Sequence, residues 1–473
     1  MGAGPGAVTL AEEHRAGRRD PRATVRSALA RARRLEPDLN AFAVLDENAV
    51  VAADDIARRI ARGDDPGPLA GVPVSVKDIL DVAGLPTRWG SPLMAQAPPA
   101  KTDVVAVARL RKAGAVIIGK TTTTEFAHSP LGISPLTGLT RNPWAPHVTC
   151  GGSSAGAGVA VATGVTPLAL ATDAGCSARL PAACCGVYGF KPTLGCIPHD
   201  RVPEAFANFI HLGLLAGCVR DLAYALDALA GPHWADPQSL CRPRLESSAT
   251  LPASPLAGAR VIVWMTTGNA RVAEEIVITT RAAAAMIERL GARVIEEPYP
   301  LAHPDPIWRV LQQSNWAVRF AGATPQERSR LSATLNAGIE AGLSYRGLDL
   351  QRALVRRSEI FRGVQAAFNE RADFILTPCV SAPPVAAEHD LDAPLEVDGV
   401  PVGDLRAEWT PYLSLFDLSG HPALVVPAGF AGSGAPLGIQ LVAPWGEDAR
   451  LLTAAAVYEA AVATQHRPLA LSA

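Results

Sequence analysis

The chain has 473 residues, 48% of them hydrophobic and only 19% charged, so it can bury a sizeable core. Its formal net charge of −2 and pI near 6.6 give no basic footprint for nucleic acid and no electrostatic membrane anchor. The first 35 residues are rich in Arg and Glu and lack the apolar run of a signal peptide; the longest apolar stretch, 158–171, is too short and too broken by Gly164 and Pro167 to span a bilayer.

Residues 8–63 read as helical, with apolar positions at helical spacing over Arg22–Arg34 and Ala49–Ala61, and the polar turn 62–67 closes that region. Residues 1–70 are therefore expected to be a helical region packed on a single α/β core of residues 71–473. The Val-rich run Val72–Val76 leads straight into Lys77. Thr102 is expected to cap a helix ending at Lys112, with Gly114 as its stop and Ala115–Ile118 as a buried strand. Beyond the Gly151–Gly152 turn, Ala155–Ala162 reads as a helix of small residues. Leu168–Thr172 reads as a strand, with a tight turn over Asp173–Ser177. A break rich in Pro, Ser and Arg over 231–257 reads as an excursion. A strand Arg260–Trp264, a helix over Arg281–Leu290, a strand Arg293–Ile295 and long helices through 307–370 follow. Phe374–Pro378, Ala423–Pro427 and Leu437–Val442 read as strands, and Ala449–Ala463 as the closing helix. Strands alternating with helices imply an α/β sheet covered on both faces.

Eight cysteines occur, none paired as C-x-x-C, so they read as scattered buried thiols in a reducing cytoplasm. No metal site and no cofactor are expected.

Two patterns invite chemistry that their context rejects. Gly114–Thr121 is a literal match to the P-loop pattern, but its middle residues, Ala-Val-Ile-Ile, form a strand rather than a phosphate-cradling loop, and a helix precedes them. Gly152–Gly156 matches the nucleophile elbow around Ser154, but the preceding 142–150 carries two prolines and is no strand. Of the histidines, His128, His147 and His199 are the best candidates to lie near a site.

Three residues in two glycine-rich blocks carry the positive signal: Lys77, Ser153 and Ser177. A serine hydroxyl is a weak nucleophile until a base takes its proton, and a lysine serves as that base only when neutral. Neutrality near pH 7 requires its pKa to fall about 3 units from roughly 10.4. Burial after Val72–Val76 is the expected cause. The turn ending at Ser177 can aim successive backbone N–H groups at one point, as an oxyanion hole does. Each residue alone also has a structural reading: Ser153 and Ser154 as helix caps, Lys77 as a strand-end lysine, and 173–177 as a small-residue turn.

Together these blocks resemble the amidase signature family. The resemblance rests on Gly71-Val-Pro-Val-Ser-Val-Lys77-Asp78, on Gly151-Gly-Ser153-Ser154-Ala-Gly156, on residues 172–181 and on Gly186–Thr193. It extends to 119–127, Thr377–Pro378 and Gly420–Pro427, over roughly residues 20–465. It implies a large mixed sheet of about ten or eleven strands covered by helices on both faces. By position, Ser177 matches the acyl-enzyme nucleophile, Ser153 the bridging serine on a cis peptide, and Lys77 the base. Ala174, Gly175, Cys176 and Ser177 match the oxyanion donors, and Ser154, Asp173 and Arg179 match the bracing residues. Gly151, Gly152, Leu131 and Ile133 are expected to contact the substrate. Trp308, Trp316, Phe320 and Trp409 are candidates for the pocket wall, with core packing as the other reading.

The implied activity is hydrolysis of small amides, esters, anilides or carbamates without a cofactor. The apolar loop His128–Pro135 points to a hydrophobic substrate. Two alternatives remain: an amidotransferase component passing ammonia to a partner, and an inactive binding or scaffold protein. The latter is suggested by Cys176, which replaces a customary glycine and would be strained at positive φ. A homodimer is left open.

Overall fold

The computed structural model describes residues 4–241 and 254–462. Its centre is an eleven-stranded mixed sheet. In chain order the strands are β1 (Phe42–Leu45), β2 (Pro73–Lys77), β3 (Val116–Thr121), β4 (Leu168–Asp173), β5 (Tyr188–Lys191), β6 (His211–Ala216), β7 (Arg260–Val263), β8 (Arg293–Glu296), β9 (Phe374–Pro378), β10 (Ala423–Phe430) and β11 (Pro436–Val442). Their order across the sheet is β1-β3-β2-β4-β6-β5-β10-β11-β9-β7-β8. The strands β2, β3, β4 and β9 are buried at every position. The continuous apolar run Leu168–Ala171 lacks the alternation of a one-sided sheet, and even Ser75 within β2 is buried, because helices cover both faces.

β2 lies between β3 and β4 and runs parallel to both, with Lys77 opposite Thr121 and Val76 opposite Leu170. Parallel neighbours end on the same side, so Lys77 and Asp173, the last residues of β2 and β4, emerge together. Ligand sites in such sheets form beyond the carboxyl ends of strands. Helix Ala155–Ala162 and helix Arg179–Cys185 flank β4, and their small residues permit close approach: a Cβ on Gly156 would lie 2.0 Å from the Ala41 carbonyl oxygen. A separate aromatic-rich cluster, including Trp308, Trp316, Phe320, Leu335 and Ile339, packs helices Asp305–Arg319, Ala333–Ser344 and Gly347–Glu370 over the other half of the sheet.

Several boundaries differ from the sequence reading. The 8–63 region is not all helix: Phe42–Leu45 breaks it and pairs antiparallel with β3 as the sheet edge. Residues 4–70 therefore supply a strand to the core sheet as well as helices to its surface. Thr102 caps nothing; the helix runs Val105–Lys112 from an N-cap at Val104. The segment matching the P-loop pattern contains strand β3, and its Lys120 is buried in an ion pair with Asp78 at 2.9 Å. The closing helix is Asp448–Val462; Ala463, its expected end, and residues 242–253 of the expected excursion lie outside the described residues. No helix among the described residues is long and apolar enough to cross a membrane.

Candidate active site

Lys77, Ser153 and Ser177 converge. Lys77 Nζ lies 2.7 Å from Ser153 Oγ, and Ser153 Oγ lies 2.9 Å from Ser177 Oγ. Lys77 also donates to Thr172 Oγ1 at 3.0 Å. The peptide bond between Gly152 and Ser153 is cis. All three residues are buried, with Ser177 retaining 8% exposure. Burial pushes the Lys77 ammonium down from 10.5 to about 7, against the pull of Asp173, so a substantial neutral fraction exists at physiological pH. Lys77 has no ion pair among the described residues, and Asp78, its sequence neighbour, is held by Lys120.

The turn after β4 is braced from within. Asp173 accepts from the N–H groups of Ser177, Ala178 and Arg179 at 2.9, 3.1 and 3.1 Å. The Arg179 guanidinium forks onto the same carboxylate and reaches Asp417 at 2.7 Å, Gln440 at 2.6 Å and the Leu413 carbonyl at 2.9 Å. Burial raises the Asp173 pKa, but the guanidinium outweighs it and holds the carboxyl below its ordinary range. Ser154 donates its N–H to the Ser177 carbonyl at 3.1 Å and its hydroxyl to the Thr172 carbonyl at 3.4 Å. It thus ties the two serine blocks together and does not act as a helix cap through its side chain. Asp417 and Gln440 carried no sequence signal, because they reach the site only through tertiary packing.

Of the four N–H groups expected to form an oxyanion cradle, one already has a partner. The Ser177 N–H is committed to Asp173, which leaves Ala174, Gly175 and Cys176, whose N–H groups have no hydrogen-bond partner among the described residues. Cys176 does not have positive φ, so its Cβ causes no backbone strain there. Its thiol donates to the Gly152 carbonyl at 3.6 Å, and burial pushes its pKa up to about 11, so it stays protonated.

A cavity of about 210 Å³ opens on Ser177, Ala174, Gly175 and Thr172. Trp308 and Trp316 line it while also packing in the aromatic core cluster. Phe320 does not; it packs edge-on against Phe126 at 4.9 Å. Trp409 does not either, being fully buried with its indole N–H on the Ala382 carbonyl. Gly151, Gly152, Leu131 and Ile133 are also absent from the lining. Added Cβ atoms on Gly151 and Gly152 would clash with backbone at 2.9 and 2.8 Å, so these glycines serve close packing rather than substrate contact. Leu131 is core, and Ile133 belongs to a two-residue strand paired with Gly138–Leu139. The 128–135 loop borders a neighbouring hollow, through His128 and Pro130, that shares Trp308, Trp316 and Arg406 with the cavity. His199 lines the cavity, whereas His128 is bound between the Glu125 carbonyl and Thr334, and His147 is exposed elsewhere.

A family model described as Amidase matches residues 23–452. The chain belongs to the amidase signature family. It is 32% identical to an acylamidase of Rhodococcus erythropolis, over 90% of this chain and 89% of that protein. It is 34% identical to a glutamyl-tRNA(Gln) amidotransferase component of Thermus thermophilus, over 97% and 98% of the two chains. Among solved structures it superposes on a bacterial aryl acylamidase with a TM-score of 0.88, at 27% identity, covering 97% of this chain and 96% of that one. The chain is thus an amidohydrolase with the family's α/β fold.

Proposed function

We propose that the protein hydrolyses small amides, including anilides and carbamates, through an acyl-enzyme on Ser177. With Lys77 protonated, hydrogens point outward, from Lys77 to Ser153 to Ser177, and the nucleophile has no acceptor for its own proton. Loss of one proton from Lys77 lets the wire run inward: Ser177 gives its proton to Ser153, and Ser153 gives its own to Lys77. Ser177 Oγ then bonds to the carbonyl carbon, and the N–H groups of Ala174, Gly175 and Cys176 take the developing oxyanion. Reversal of the relay protonates the departing nitrogen, and water cleaves the ester to free the acid. The observation that carries this reading is the 2.7 and 2.9 Å chain from a lysine depressed to about 7 to a hydroxyl at the floor of a cavity. The aromatic walls, Trp89, Phe126, Trp308 and Trp316, suit an aryl or alkyl portion of the substrate, and the acylamidase relatives support anilides.

Separate Lys77→Ala, Ser153→Ala and Ser177→Ala variants test it, each expected to lose at least about 10²-fold in kcat against a panel of aliphatic amides, anilides, carbamates and glutamine. A Ser177→Ala chain that stays active while Ser154→Ala is dead would move the nucleophile. A second reading, release of ammonia from glutamine for a partner, draws on the charged groups Asp81, Arg319 and Arg406 in the cavity wall and on the Thermus relative. Glutaminase turnover by the purified chain exceeding its anilide turnover would favour it.

A further inference from the structure

One face of helix Asp305–Arg319 forms a wall of the cavity through Trp308, Gln312, Asn315, Trp316 and Arg319. Their spacing of 4, 3, 1 and 3 residues is that of one helical stripe. The stripe begins at the Ser177 turn, where the Trp308 indole N–H donates to the Ala174 carbonyl at 2.6 Å. Arg319, an exposed residue, lies eleven residues on, about 16 Å of helix rise away.

The Arg319 guanidinium lies 4.0 Å from the ring centroid of Trp89 and 4.8 Å from that of Phe126. It has no ion pair and no hydrogen bond among the described residues. A second guanidinium, Arg406, lies 4.3 Å from the centroid of Trp308 and gives one N–H to the His128 carbonyl at 2.6 Å. It too has no carboxylate partner among the described residues. The other charged wall groups have partners, Asp81 through a hydroxyl rather than a cation. Asp81 accepts from the Thr87 hydroxyl at 2.7 Å, and that hydroxyl accepts from Lys120. Arg201 sits 3.5 Å from Asp200 and donates to Thr102. Burial pushes His199 down to about 4, so it is neutral. Loss of solvation lowers Arg319 to about 10, which leaves it charged at neutral pH.

A guanidinium stacked on an aromatic face keeps its N–H edge free and flat, the geometry that receives a carboxylate through two parallel hydrogen bonds. Two such cations line one cavity, Arg319 with every guanidinium N–H free among the described residues and Arg406 with one given to His128. Gln312 Oε1, buried nearby without a hydrogen-bond partner among the described residues, is an acceptor for a substrate N–H. We propose that the substrate is an amide that also carries a carboxylate, held by Arg406 near the scissile bond or by Arg319 further out along the helix face. This rests on the hydrolase reading above and names its substrate class.

Two matched pairs test it: N-succinyl-4-nitroanilide against N-butyryl-4-nitroanilide, and 4-acetamidobenzoate against acetanilide. The first pair carries the charge on the acyl side, the second on the amine side. In at least one pair the carboxylate member should have a kcat/KM higher by about tenfold or more, expressed mainly in KM. Arg319→Gln or Arg406→Gln should collapse that ratio towards one. A ratio at or below one in both pairs, or a ratio that survives in both variants, overturns the proposal. Calorimetric binding of the same four compounds to the Ser177→Ala chain reads the preference without turnover. A chain that favours the anion there but hydrolyses nothing would refute the hydrolase reading and leave the anion site standing; equal affinities would refute the anion site alone.

Discussion

Replacing Lys77 by methionine should abolish activity and, at neutral and acidic pH, stabilise the fold. The unfolded chain holds the lysine proton up to its ordinary 10.5, whereas the folded chain holds it only to about 7. Between those values the unfolded state binds more protons, so this residue makes stability rise with pH; its penalty is full below pH 7 and gone above about 10.5. At about 1.36 kcal/mol per pH unit, that gap amounts to a cost on the order of 5 kcal/mol. Methionine removes the cost and fills a similar volume, but it also removes the donor to Ser153 and Thr172, at about 1 kcal/mol for each hydroxyl. The variant should therefore be more stable by about 3 kcal/mol at pH 6 and nearly equal to the parent at pH 9. Urea unfolding of both chains at the two pH values measures it. Lys191, a second buried lysine lowered to about 7, is common to both chains and cancels in the difference. A stability difference that is the same at pH 6 and pH 9 would refute the claim that burial holds Lys77 neutral.

In the parent enzyme kcat/KM should fall about tenfold per pH unit below about 7 and level off above it, because only neutral Lys77 accepts the proton; a profile flat from pH 5.5 to 8 would contradict this. Gly175→Ala would set a Cβ 2.8 Å from Trp308 Nε1 and push the indole off the Ala174 carbonyl. Steady-state assays should then show a loss of about 10²-fold in kcat/KM with unchanged circular dichroism. Arg179→Met strips the buried carboxylates of Asp173 and Asp417 of their cation and should cost about 3–5 kcal/mol by urea titration.

How much of this was legible in the sequence depends on the range of the interaction involved. Helix Ala155–Ala162 and strand Phe374–Pro378 are legible to the residue, because apolar runs bounded by glycine, serine or proline are local signals. Lys77 and Ser177 are legible as residues at or just past strand ends, and that position brings them together, since parallel neighbouring strands end on one side of the sheet. Strand β1 is not legible: four apolar residues between two amphipathic helices suit either state, and pairing with β3 decides. The substrate wall misleads for the same reason. Gly151 and Gly152 carry the glycine signal of a binding loop, yet their missing Cβ atoms make room for neighbouring backbone. The stripe of helix Asp305–Arg319 facing the cavity shares its spacing with any buried helix face, and only the fold reveals that this one overlooks Ser177.

Peptide mapping by mass spectrometry after reaction with a fluorophosphonate tests the central claim most directly. A single phosphonyl adduct on Ser177, absent in Lys77→Met, is the predicted result. An adduct on Ser154 or Ser153 of the parent chain, or equal labelling with and without Lys77, would contradict it.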